Sequence, residues 1–300
     1  MFDNVLQTGT TLKTTTGEGF YCDVQRIDIS TDTTLYCFQM PGGGNIFLFE
    51  GADEQVMVDT GYGIYHADVL RMFQTMGLGD GSRITRIIIT HADADHCGAG
   101  GLYGAPACMH RGTQEIIREA NRAYGSASQD SVLEEVYTTM INLFSRFSPP
   151  ERVHLFSPAG GAVRSIFPIL TTLRICGIEF EVLEGLGGHL YGQVFLFSPD
   201  AGLLFTADSL FNFRSLTEER RRYNSHADFL ITSVNVDSDR ARKERKALVE
   251  LAQAAKSTIP GSGGGCIICG GHGAVSVLEE DGLAPAAACL RYTHASGLQQ

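Results

Sequence analysis

The stretch Thr90 to Gly101, reading THADADHCGAGG, holds four side chains that can bind a metal, His91, Asp93, Asp95 and His96, within six residues. In an extended segment alternate residues share a face. His91, Asp93 and Asp95 can therefore point into one site, while a turn at His96 aims its ring from another direction. One loop can then serve two metals, and imidazole with carboxylate suits zinc, iron or manganese. The bland alternative is a solvated acidic loop with incidental histidines, which leaves the density of ligands unexplained. Three more polar residues occur in similar settings: His189 in GLGGHLYGQ, Asp208 in LLFTADSLF and His272 in CGGHG each follow an apolar strand run, where site loops belong.

The elements that must position these loops are readable from periodicity. Phe20 to Ile29, Thr34 to Met40, Asn45 to Glu50 and Gln55 to Asp59 read as consecutive strands with short turns, an antiparallel start. A helical pattern from Tyr65 to Met76 and a buried strand from Ile84 to Thr90 follow, then a strand from Ala105 to His110. Helices are expected over Thr113 to Tyr124 and Asp130 to Phe147, a pair that looks like an insertion at about 113–150 and whose broad apolar stripe suits a lid, a homodimer contact or core. Strands recur at Leu173 to Cys176, Ile178 to Leu183, Gln193 to Ser198 and Leu203 to Thr206, before a long helix from Ser238 to Lys256. Two such halves packed sheet to sheet give a four-layer αββα sandwich; composition alone equally allows a doubly wound α/β sheet. The last fifteen or so residues read as a surface segment.

With 300 residues, 43% of them hydrophobic, the chain can bury a large core, and one domain over 1–300 is the expectation. Acidic residues outnumber basic ones, 34 to 23, for a net charge of −11. Such a surface repels nucleic-acid phosphates. There is no basic start followed by an apolar core, and no apolar run that would span a bilayer, so the expectation is a cytoplasmic protein with no membrane partner. The eight cysteines are scattered as in a reducing compartment. The one close pair, Cys266 and Cys269, sits three apart in a strand, pointing to opposite faces rather than chelating one metal. The GSGGG run at Gly261 to Gly265 lacks the following lysine and hydroxyl residue of a nucleotide-phosphate loop. The segment Asn212 to Ile231, with Arg214, Arg220, Arg221, Arg222, Tyr223 and His226, is either an attractor for an anionic substrate or, with Glu218 and Glu219 ahead of the arginines, a solvated helix face.

The NIFLF and VMVDTG stretches, the His91 cluster, the His189 loop, FTADSLF and the final GHG together resemble the metallo-β-lactamase superfamily, in family order over most of the chain. The resemblance implies the αββα sandwich, an α+β fold of two mixed sheets flanked by helices, with two divalent metals at one edge. It implies that His91, Asp93 and His189 hold the first metal and Asp95, His96 and His272 the second, with Asp208 bridging them and Asp59 orienting the ligand loop. The implied reaction is hydrolysis, a hydroxide shared by the two metals attacking an ester, lactone, thioester, amide or phosphodiester of a small molecule. Asp95 and Asp208 then serve catalysis, and Tyr191, two residues beyond His189, is a candidate oxyanion donor or else a packed aromatic. His66, His110, His154 and His294 lie outside any matched motif.

One residue departs from the family pattern: Asp93 stands where most members carry histidine, giving HxDxDH for HxHxDH. A carboxylate adds charge and a harder donor, which admits iron or manganese as readily as zinc. Two alternatives follow. One is a diiron oxidoreductase related to the flavodiiron branch, although the flavodoxin-like domain that feeds electrons there is missing from this chain. The other is a non-catalytic metal-binding protein that keeps the fold.

Overall fold

The apolar runs of this chain split between two faces with the two-residue period of strands, and that division sets two sheets back to back. The computed structural model describes residues 2–157, 160–227, 235–260 and 262–299. The end of the Asn212 to Ile231 segment and Gly261 of the glycine run lie outside the described residues. Helix α1 (Phe2–Thr14) precedes four strands, β1 (Tyr21–Asp28), β2 (Thr34–Gln39), β3 (Asn45–Glu50) and β4 (Gln55–Val58). Helix α2 (His66–Thr75), strand β5 (Ile84–Ile88), the single turn α3 (Ala94–Cys97) and strand β6 (Ala107–Met109) follow. Helices α4 (Arg111–Glu119) and α5 (Val132–Phe144) then lead to β7 (Val153–Leu155). The second half runs through β8 (Val163–Arg164), β9 (Phe167–Ile175), β10 (Ile178–Glu184), β11 (Val194–Ser198) and β12 (Leu203–Ala207). Helices α6 (Glu218–Ser225) and α7 (Ser238–Ala254) precede β13 (Ile267–Gly270), β14 (Ser276–Glu279), β15 (Gly282–Pro285), β16 (Leu290–Thr293) and β17 (Gly297–Gln299).

Nine strands form one sheet in the order β17-β16-β1-β2-β3-β4-β5-β6-β7, and eight form the other, β15-β14-β13-β12-β11-β10-β9-β8. Both are mixed. The first turns parallel from β4 onward, and the second is parallel only between β12 and β13. Between the sheets, Phe47, Phe49, Val56 and Val58 meet Phe180, Val182, Leu196 and Phe205, with the Phe47 and Phe205 rings edge to face at 5.1 Å. The alternate residues Ile46, Leu48 and Met57 pack outward with Val69, Met72 and Phe73 of α2. On the far side Phe195, Phe197, Leu204 and Ile268 pack with Ala247, Leu248 and Leu251 of α7. The result is the αββα sandwich, with strands apolar on both faces because both faces are covered.

One helix joins the expected elements, and two expectations are refined. The N-terminal helix α1 has a weak apolar stripe but docks Val5 and Leu12 in the core, and Gly9 lies against the Phe144 ring of α5. The last residues lie at the surface, with mostly exposed or half-buried side chains, but they form strands rather than an irregular tail. Strand β16 pairs antiparallel with β1 and β17 with β16, burying Tyr292, because β1 would otherwise expose an unpaired edge. Helix α4 ends at Ala120, whose left-handed φ of 48° breaks it before Tyr124. The cysteines are all free, and Cys266 and Cys269 fall in different cores, one on each face of their sheet.

Candidate metal centre

The site lies where β4, β5, β12 and β13 end. Asp59, just after β4, adopts a left-handed φ of 58°, a conformation an aspartate tolerates better than most residues. Its Oδ1 accepts a hydrogen bond from the Thr90 amide at 2.8 Å, and its Oδ2 accepts from Thr90 Oγ1 at 2.7 Å. The same Oδ2 is 2.8 Å from His96 Nδ1, so it holds the proton on Nδ1 and leaves the Nε2 lone pair facing inward. Thr90 Oγ1 is also 2.9 Å from His91 Nδ1. Asp208 follows Ala207, another left-handed residue at φ 44°, where the pairing of β12 with β13 shifts register. That irregularity turns the carboxylate out of the sheet and into the site. His189 is steadied by Asn235, whose Oδ1 lies 3.3 Å from Nδ1.

Three overlapping groups offer atoms within 4.8 Å of one another: His91, Asp93, His189 and Asp208 in the first, Asp95, His96 and His272 in the second, and Asp59 with His91 and His96 in a third that shares its histidines with the other two. In the first group, Asp93 Oδ2 lies 3.1 Å from His189 Nε2 and 3.8 Å from His91 Nε2, and Asp208 Oδ2 lies 3.6 Å from His189 Nε2. In the second, Asp95 Oδ2 lies 3.7 Å from His96 Nε2 and 3.6 Å from His272 Nε2. Asp208 joins them, with Oδ1 3.3 Å from His96 Nε2 and Oδ2 3.2 Å from His272 Nε2. Space is reserved around them: a Cβ on Gly44 would meet His96 Nε2 at 2.6 Å, and one on Gly271 would overlap the Asp208 carboxylate.

These residues fit a pair of divalent ions. The buried Nε2 atoms of His91 and His96 and Oδ1 of Asp208 find no hydrogen-bond partner among the described residues, although buried polar atoms ordinarily have one. Burial acts to lower His96, yet Asp208, Asp95 and Asp59 outweigh it and hold the imidazole well above its ordinary range. His272 is raised against the same burial by Asp208. Burial pushes the Asp95 carboxyl up. Burial and then the neighbouring His96 press His91 well below its ordinary value, leaving it a neutral donor. The carboxylates around His96 and His272 favour positive charge there, and cations supply it.

Each residue that sequence spacing singled out as a ligand lies in this cluster, and Asp59 braces it. Tyr191 does not line it. Its ring lies edge-on to His110 at 6.0 Å against Gly112 and Gly125, beside a separate hollow. A cavity of about 220 Å³ opens directly on Asp93, Asp95, Asp208 and His272 and is walled by Tyr62, Tyr137, Tyr223, Ile141, Phe211 and Phe213. Tyr223 donates a hydrogen bond to Tyr62 Oη at 2.9 Å, and burial raises both phenols well above their ordinary range, so they stay protonated.

Sequence reasoning missed Arg122. Its buried guanidinium pairs with Asp93, Nε to Oδ1 at 3.2 Å and Nη2 to Oδ2 at 3.3 Å. Burial would raise the Asp93 carboxyl, but Arg122 and then His189 hold it well below the usual range. A carboxylate in place of a neutral imidazole was itself the available signal, because a buried extra charge requires a partner. The arginine run of α6 divides: Arg220 is buried and bonds the carbonyls of Gln39 and Met40 and the Asp23 carboxylate, while Arg221 sits at the cavity. Of the other histidines, His110 pairs with Glu184 and His294 with Asp68.

No helix among the described residues is long and apolar enough to cross a membrane. Curated protein sequences yield no match. Among solved structures, the chain is similar to AidC, a dizinc quorum-quenching lactonase, at 16% identity over 94% of this chain and 86% of that one, with a TM-score of 0.48. It is also similar to a metallo-β-lactamase of Cronobacter sakazakii with a HARLDQ motif, at 14% identity over 82% and 80%, TM-score 0.47. A third is BJP-1, a subclass B3 metallo-β-lactamase of Bradyrhizobium japonicum, at 13% identity over 79% and 74%, TM-score 0.46. The sequence profile of the metallo-β-lactamase superfamily matches residues 40–272, a span that runs from the end of β2 to the last histidine of the cluster, and the chain belongs to that superfamily.

Proposed function

We propose that the protein is a hydrolase of a small molecule, working with two divalent metals held by His91, Asp93 and His189 on one side and Asp95, His96 and His272 on the other, with Asp208 between. The observation that carries this reading is the shared carboxylate: Asp208 stands within 3.2–3.6 Å of histidines from both groups, at the floor of a cavity. Bound there, a metal pair supplies Lewis acidity and a water activated at neutral pH. No nucleophilic side chain is then required. The chain's own part is to orient and exclude. Asp59 and Thr90 fix the His96 and His91 rings, Ile141, Phe211 and Phe213 line the cavity with apolar surface, and Tyr62, whose oxygen accepts the hydrogen bond from Tyr223, keeps its own O–H as a donor for a substrate oxygen. Tyr62 takes the place proposed from sequence for Tyr191.

The cavity's modest size and its aromatic and aliphatic walls suit a compact ester, lactone, thioester or amide better than a polymer. The test is metal analysis of protein purified without added metal, together with hydrolysis of a panel of chromogenic esters and amides. Two ions per chain are expected, with Asp208→Ala losing both and Asp93→Ala chiefly one. Equal loss from both positions in Asp93→Ala, or full retention in Asp208→Ala, contradicts the assignment. Iron retained with turnover that depends on oxygen would instead assign the site to redox chemistry.

A further inference from the structure

We infer that Glu244, on the buried face of α7, is a positioning residue that holds two ligand-bearing segments of the metal centre at once, the loop of His189 and the turn of Asp208. This rests on the two-metal reading above, and it gives α7 a role beyond covering the second sheet.

The helix carries an acid where its spacing calls for an apolar residue. Ala241, Glu244, Leu248 and Leu251 recur at helical spacing and are all buried. A carboxylate taken from water is costly unless donors surround it, and here three do. Oε1 accepts from the Leu186 amide at 2.5 Å and the Gly188 amide at 3.2 Å, and Oε2 accepts from Ser209 Oγ at 3.0 Å. Gly188 immediately precedes His189, and Ser209 immediately follows Asp208. The Ser209 oxygen itself accepts from Gln193 Nε2 at 2.8 Å, which leaves its one proton for Glu244.

The need for such a residue comes from the backbone. Leu186 and Gly188 lie between β10 and β11, where no strand ladder supplies acceptors for their N–H groups. Neighbours of Glu244 on α7 complete the hold. Arg240 Nη1 donates to the Leu186 carbonyl at 3.3 Å, Arg245 Nε donates to the Ser209 carbonyl at 3.0 Å, and the Asp237 amide donates to the Gly188 carbonyl at 2.9 Å. A Cβ on Gly188 would overlap the Ala241 backbone, so the loop lies directly on the helix. Of these groups, Glu244 alone bonds both segments. They meet at the first metal position, where Asp208 Oδ2 lies 3.6 Å from His189 Nε2. The second position takes Asp95, His96 and His272 from other loops and feels Glu244 through Asp208 only.

Zinc alone is the probe, titrated calorimetrically into chelator-stripped protein. Glu244→Ala should weaken the first zinc by about tenfold or more and the second by about threefold or less. Glu244→Gln keeps an oxygen for the two amides and can donate to the Ser209 oxygen, so it should hold the first zinc within about threefold of the parent protein. Amide exchange in the zinc-free protein gives an independent signature: Leu186 and Gly188 should exchange about tenfold faster or more in Glu244→Ala, and within about threefold of the parent in Glu244→Gln. Leu251→Ala, in the core two turns further along α7, is the control for simple destabilisation and should leave zinc affinity unchanged. Should Glu244→Ala fail to fold by circular dichroism, Glu244→Met takes its place, filling the same space without an acceptor. The inference is overturned if the first zinc stays within about threefold of the parent, if both zinc ions weaken equally, or if Leu251→Ala weakens the first zinc as much. A parent protein that takes up no zinc pair overturns the two-metal reading and the inference with it; a parent that binds both, with no selective loss in Glu244→Ala, overturns only the role of Glu244.

Discussion

Replacing Asp59 with asparagine isolates one contribution to the metal centre. Asparagine also tolerates the left-handed backbone that Asp59 adopts at φ 58°, so the turn should survive and only the chemistry change. The carboxylate now accepts three hydrogen bonds, from the Thr90 amide, Thr90 Oγ1 and His96 Nδ1, at 2.7–2.8 Å. An amide keeps one acceptor oxygen and places an NH₂ where Oδ2 was, facing His96 Nδ1. Either two donors oppose each other, or the histidine moves its proton to Nε2 and loses the lone pair that points into the site. A hydrogen bond to a charged group is worth about 1.5–3 kcal/mol, which at about 1.4 kcal/mol per decade is roughly 10- to 100-fold in affinity for the second zinc. Calorimetric titration with zinc measures this, and ¹⁵N imidazole spectra report the His96 tautomer. An Asp59→Asn protein that folds and binds both zinc ions within about threefold of the parent would refute the view that this carboxylate sets the tautomer.

Three further outcomes are expected. Gly271→Ala should fold but hold at most one metal, because the added methyl overlaps the Asp208 carboxylate and would meet His96 Cε1 at 2.9 Å; zinc content with an unchanged circular dichroism spectrum is the check. Phe205→Ala should cost about 3–5 kcal/mol of stability in urea unfolding, since its ring lies between the sheets against Phe47, Phe49 and Phe180, and a loss under 1 kcal/mol would mean the sheets close over the gap. Burial acts to raise the Asp23 carboxyl, but the hydrogen bond from Arg291 and the charge of Arg220 lower it below its ordinary value. Its contribution is therefore present above the unfolded value of about 4 and disappears as pH falls through the lower folded value. Asp23→Asn should make unfolding free energy less steep between pH 5 and pH 3 than in the parent, and parallel profiles would count against the pairing.

The sequence alone determined whatever depends on local period and composition. Strands β1 to β4 follow from runs of strand length with turn residues between them, and β3 and β4 are apolar on both faces because the fold covers both. The ligand residues were legible for a related reason. Metal donors must follow strand ends, so His91, Asp93, Asp95, His96, His189, Asp208 and His272 stand out as polar residues directly after apolar runs. Tertiary structure alone decided the partners of those residues. Arg122 lies 29 positions from Asp93 in a stretch with no motif of its own, and only the turn between α4 and α5 brings its charge into the site. Tyr62 became a cavity residue and Tyr191 did not, because proximity in sequence to a ligand says little about which way a loop turns its side chain. The C-terminal strands were lost in a polar, alanine-rich tail for the same reason: pairing with β1 is a contact across more than 260 residues, and the need of that edge for backbone partners is written in the sheet and not in the tail.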